Sequence, residues 1–175
     1  MQLLKSYYLK HNFPALNPLL VFLILCFVLF TLWSCAATDP PNRTQVNIPL
    51  LKKWHGDYPV SQLARLPAGQ QDLAVGYIND TETFIPIWRT FMPKEILPAV
   101  DFNKNFIVFT RNITFYNQKA ILTVRLESGT AEIIAMETLS SIPIEDRVAM
   151  AMALIPREGI RAIKSGDVII EVASQ

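Results

Sequence analysis

Residues 120–136 read AILTVRLESGTAEIIAM, and this stretch decides the fold class. Two apolar runs rich in β-branched residues, 120–126 and 131–136, flank Glu127-Ser128-Gly129-Thr130, a turn whose glycine accepts positive φ. That pattern predicts an antiparallel hairpin. Upstream, residues 106–110 (FIVFT) have no polar face, which places them centrally in a sheet, and residues 72–78 (DLAVGYI) supply another strand. Downstream, residues 168–172 (VIIEV) are entered through the turn Ser165-Gly166-Asp167. Residues 148–155 are ambiguous. Val148, Met150, Met152 and Leu154 alternate with alanines, as in a strand with one small face, yet Ile144, Val148, Met152 and Ile155 also form a helical stripe. Strand is the preferred reading. A helix is predicted over 83–92, where Phe84, Trp88 and Phe91 recur at steps of four and three, Pro86 falls in the first turn and Pro93 ends it. The expected fold is α+β: a single domain with a mostly antiparallel sheet of about six strands and one or two short helices.

The chain has 175 residues, 16 basic and 15 acidic, with 51% hydrophobic and 18% charged side chains. A formal charge of +1 gives no bulk-charge basis for nucleic-acid binding, and none is expected. Much of the apolar excess is local. Residues 19–33, LLVFLILCFVLFTLW, are uncharged and follow Lys5 and Lys10, the layout of a secretory signal shorter than the roughly 20 residues of a spanning helix. Leu32-Trp33-Ser34-Cys35-Ala36-Ala37 then resembles the lipobox of bacterial lipoproteins, with Trp33 a departure from the usual small or aliphatic residue. The resemblance implies cleavage before Cys35 and acylation of its thiol, palmitate-type chains holding the protein in the membrane, where each buried methylene contributes ~0.8 kcal/mol. Ala36 after the cysteine implies outer-membrane sorting, facing the periplasm; Asp39 is too distant to act as a retention aspartate. The organisation expected is a signal peptide at 1–34, a lipidated Cys35 with a flexible tether through 45, and a periplasmic domain at 46–175. The alternative is an inner-membrane signal anchor carrying a periplasmic domain. Removing Lys5 and Lys10 from the 16 basic residues leaves 14 against 15 acidic ones, so the mature chain carries a formal charge of −1.

Cys26 and Cys35 are the only cysteines, which excludes disulfides, cysteine-ligated zinc and cysteine nucleophiles from residues 46–175. His55, in Trp54-His55-Gly56-Asp57-Tyr58, is the one histidine beyond the signal segment. It is a candidate general base or binding residue in an aromatic-lined cleft, oriented by Asp57, set against the commoner surface histidine. Glu137, Glu145 and Asp146 lie with three hydroxyls and Arg147 between two predicted strands. Paired carboxylates suit acid/base work on a glycan, while such a loop is more often a solvated turn. Trp54, Tyr58, Trp88 and Phe91 are candidates for a ligand groove, with core packing as the default. No Gly-x-Ser-x-Gly elbow, Gly-rich phosphate loop or calcium loop accompanies them, so no cofactor or metal is expected.

Trp88-Arg89-Thr90-Phe91, followed by Ile96-Leu97-Pro98-Ala99-Val100-Asp101-Phe102 and the strand Phe106-Ile107-Val108-Phe109, resembles the C-terminal domain of the protease complex subunit PrcB family. Ala153-Leu154-Ile155-Pro156-Arg157 is similar to that domain's penultimate strand. The likeness spans about residues 70–173. Arg111-Asn112-Ile113-Thr114-Phe115-Tyr116 stands where family members carry Gly-Gly-Tyr, which marks a divergent member. The resemblance implies a secreted or lipid-anchored domain without catalysis, named for a lipoprotein that helps stabilise a surface protease complex. The expected function is therefore a lipid-anchored envelope protein that binds or stabilises another envelope protein. The alternatives are an envelope hydrolase acting on glycan or peptide and a domain binding a small molecule or cell-wall glycan.

Overall fold

A computed structural model describes residues 45–173 of the chain. The signal segment, Cys35 and nearly all of the expected tether lie outside the described residues. The fold is α+β and mostly antiparallel, as the sequence predicts. Nine strands are present among the described residues: β1 Val46–Ile48, β2 Lys52–Pro59, β3 Val75–Ile78, β4 Asn105–Arg111, β5 Lys119–Glu127, β6 Thr130–Glu137, β7 Arg147–Pro156, β8 Ala162–Ser165 and β9 Val168–Glu171. The six predicted strands are joined by β1, β2 and β8, and together they divide into two sheets. One has the order β1-β5-β6-β8-β9, the other β2-β7-β4-β3.

The hairpin forms between β5 and β6 with Glu127 opposite Thr130, so its loop is the pair Ser128-Gly129. Both residues have positive φ, 51° and 87°, the requirement of a type I′ turn whose twist matches the strands. β8 then runs parallel to β6, pairing Thr130 with Ala162 through Glu132 with Lys164. Every other ladder is antiparallel.

The ambiguity of residues 148–155 has a structural cause. β4 and β7 are both central in the second sheet, and both of its faces are covered. On one face Phe106, Val108, Ala151, Ala153 and Ile155 join a core with Val124, Ala131, Ile133 and Ile163 of the first sheet. On the other, Ile107, Phe109, Met150, Met152 and Leu154 meet the helix. The alanine face lets the two sheets approach, and the methionine face fills the space under the helix.

That helix, α1, spans Thr81–Phe91 and buries Phe84, Ile87, Trp88 and Phe91. It begins earlier than its apolar spacing indicates, because Asp80 caps it by accepting from the Thr83 N–H at 2.7 Å. Pro86 consequently lies in the second turn rather than the first, where its missing N–H cannot donate to the Glu82 carbonyl. A short 3-10 helix, Val60–Arg65, follows β2.

Candidate functional site

At one end of the two sheets, two connections meet. Residues 112–118 link β4 to β5, and residues 138–146 link β6 to β7. Each supplies the other's backbone partners: Tyr116 N–H donates to Ile142 O at 2.8 Å, Ile144 N–H to Thr114 O at 3.3 Å, and Phe115 bridges Pro143. Thr138 N–H reaches Gln118 O at 3.1 Å, and Gln118 N–H reaches Thr138 Oγ1 at 3.0 Å. These backbone bonds give the two connections a defined shape. Among the side chains they expose, four are large and apolar: Ile113, Phe115, Leu139 at 98% exposure and Ile142 at 62%; Met136, next to last in β6, is exposed too.

Two of this apolar rim, Ile113 and Phe115, border a polar cleft. Arg111, the last residue of β4, is only 4% exposed. Its Nη1 donates to Asn112 O at 3.2 Å and its Nη2 to Gln71 O, while its buried Nε has no partner among the described residues. Burial pulls the Arg111 pKa below its usual value, against the pull of Asp72, yet a guanidinium stays charged at any ordinary pH. Lys119 and Glu137 are cross-strand partners at the far end of the hairpin, and their side chains pair at 2.9 Å. The same ammonium donates to Asn112 Oδ1 at 3.0 Å. Arg111, Asn112, Asn117, Lys119 and Glu137 line a cleft of about 230 Å3 whose wall is completed by Ile113 and Phe115.

A second cleft, of about 260 Å3, shares Lys119 and contains His55, Asp57 and Tyr116. Alternation along β2 sends His55 and Asp57 to this side and Trp54 and Tyr58 to the helix side. There Trp54 stands edge-on to Trp88, ring centres 5.1 Å apart, and Tyr58 is fully buried. His55 is exposed and makes no hydrogen bond or ion pair among the described residues. Asp57 is engaged elsewhere: Oδ1 accepts from the Tyr116 hydroxyl at 2.6 Å, and Oδ2 faces Arg147 at 3.6 Å. That hydrogen bond, with burial and the Asp57 charge behind it, raises the Tyr116 pKa, and Arg147 opposes the rise.

The carboxylates singled out in the sequence are dispersed. Glu137 belongs to the Arg111 cleft, whereas Glu145 and Asp146 line a separate one of about 190 Å3 with Arg147. Among the described residues, no cluster of three or more His, Cys, Asp or Glu gathers to hold a metal ion.

Searches of family models, curated proteins and solved structures find no match to this chain. The site is therefore defined by its own geometry. Asn117 and Lys119 were not singled out in the sequence, and Arg111 and Asn112 only as the start of the segment in place of Gly-Gly-Tyr, although a charged residue closing the apolar run FIVFT was a usable sign.

Proposed function

We propose that residues 46–175 form a non-catalytic binding domain of a lipid-anchored envelope protein, tethered by acyl chains on Cys35 and docking onto another envelope protein. The supporting observation is the apolar rim of Ile113, Phe115, Leu139 and Ile142, held on two mutually bonded connections beside a polar cleft. Burying such a side chain contributes ~1.5–3 kcal/mol, so four of them outweigh what an exposed polar contact offers. Apolar anchors around a charged centre suit protein recognition better than turnover. The test is mild crosslinking and detergent purification of the full chain from its native envelope. The wild type should recover one reproducible stoichiometric protein, and Phe115→Asp, with an unchanged circular dichroism spectrum, should lose it. Recovery of the same protein by both overturns the assignment of the rim.

A second reading, acid–base hydrolysis of glycan or peptide, draws on the cleft shared by His55, Asp57 and Tyr116. It requires His55→Ala to abolish cleavage of envelope glycan or peptide by the purified chain; an unchanged rate removes it.

A further inference from the structure

Two features adjoining the rim are unaccounted for by apolar docking alone. The first is charge. In and around the Arg111 cleft the ionic groups pair off: Lys119 with Glu137 at 2.9 Å, and Lys164 with Glu132 at 3.1 Å. Arg111 has no ion pair among the described residues; Asp72, which is exposed, acts on it only through space. A guanidinium offers five donors, and two carbonyls take two of them, leaving the buried Nε unpartnered. A buried cation whose opposing charge does not touch it is costly unless a ligand supplies one in contact.

The second is a strand edge. β6 runs from Thr130 to Glu137, but its parallel pairing with β8 covers only Thr130 to Glu132. β5 occupies the opposite edge, so along Ile133–Glu137 one edge has no strand partner among the described residues. A groove of about 430 Å3 follows that edge between Ala74 and Ser165-Gly166. It shares Ala74, Lys119 and Glu137 with the Arg111 cleft, so groove and cleft adjoin. Unpaired strand edges are templates for an added strand, with main-chain bonds giving affinity and side-chain pockets giving specificity.

We propose that the groove takes an extended segment of the docking protein, which adds alongside Ile133–Glu137 and sets an aspartate or glutamate carboxylate against Arg111. Charge complementarity selects an acidic segment: Arg111, in the cleft that adjoins the groove, is the one ionic group lining either without an ion-pair partner, and a guanidinium donates its strongest hydrogen bonds to a carboxylate. The proposal rests on the docking role above and specifies its chemistry.

The test measures fluorescence anisotropy with the detergent-solubilised full chain and four probes. These are a capped seven-residue peptide of alternating valine and threonine with one central glutamate, its glutamine counterpart, the glutamate peptide N-methylated along one edge, and acetate as competitor. The glutamate peptide should bind at least tenfold more tightly than the glutamine peptide, and N-methylation should remove most of its affinity. Arg111→Gln should erase the glutamate preference; since that variant touches a buried residue, the ratio measured on wild-type protein stands as the primary reading. Equal affinity for the glutamate and glutamine peptides overturns the carboxylate site. Undiminished binding of the N-methylated peptide, or full displacement by millimolar acetate, overturns strand addition, and no binding overturns both. If these fail while Phe115→Asp still loses its envelope partner, docking stands and only the acidic segment is wrong.

Discussion

Gly76 of β3 lies directly opposite Phe109 of β4, and the phenylalanine ring occupies the space a side chain at 76 would need. A Cβ there would stand 2.1 Å from Phe109 Cζ and 2.4 Å from Gln70 Oε1. That oxygen is not idle, since it accepts from Tyr77 N–H at 2.8 Å. Gly76→Ala should therefore displace either a core ring or a backbone-bonded amide and lower stability by ~1–3 kcal/mol. Urea denaturation measures it; a midpoint equal to wild type would mean the ring moves aside freely.

The Ser128-Gly129 turn gives two substitutions of opposite sign. Ser128, at φ 51°, adopts a conformation asparagine tolerates better, so Ser128→Asn should raise stability by about 0.5 kcal/mol. Gly129→Ala should lower it by ~1–2 kcal/mol, because φ is 87° and the new Cβ would meet Arg161 Nε at 2.5 Å. Thermal melts of the two variants should bracket the wild type.

Alkaline pH should weaken the domain through its tyrosines. The Tyr116 pKa is raised by its bond to Asp57 and that of Tyr58 by burial, so the folded state holds both protons more tightly than the unfolded chain. Their contribution is fully present below the unfolded value of about 10 and is lost as pH rises through the higher folded values. Tyr116→Phe should cost about 1 kcal/mol near neutral pH and flatten the alkaline slope. Denaturation midpoints across the alkaline range, with phenolate absorbance, test this; an unaltered slope in Tyr116→Phe contradicts it.

If Cys35 is lipidated, the protein should remain with membranes through high-salt washing and leave only in detergent, because acyl burial is insensitive to ionic strength. The mature chain should begin at Cys35 with added acyl mass, and Cys35→Ser should block normal processing. A purified chain still bearing Lys5 and Lys10 would instead establish the signal anchor.

Legibility in the sequence followed how locally each feature was determined. The hairpin and β4 could be read because their apolar spacing and the turn glycine act within a few residues. β2, with the sequence KKWHGDYP, carries charges, a glycine and a proline, and nothing local marks it as a strand; its pairing is supplied by β7. Asp80 moved the start of α1 because a cap lies outside the apolar stripe it initiates. The Arg111 cleft was hidden for a related reason. Arg111, Lys119 and Glu137 converge only after β5 and β6 take their register, while Glu137, close in sequence to Glu145 and Asp146, ends up in a different cleft from theirs.

The lateness of β7 sets a timetable for the whole domain. β2 and β4 both pair with it, Lys52 opposite Leu154 and Asn105 opposite Pro156. On a chain delivered N-terminus first at ~5–20 residues per second, Lys52 waits on the order of 5–20 s for its partner. During that interval FIVFT has only the short β3 beside it and an open edge, a segment prone to pairing with neighbouring chains. A product ending before Arg147 would retain the hairpin strands and β3–β4, yet leave β2 without a strand to pair with.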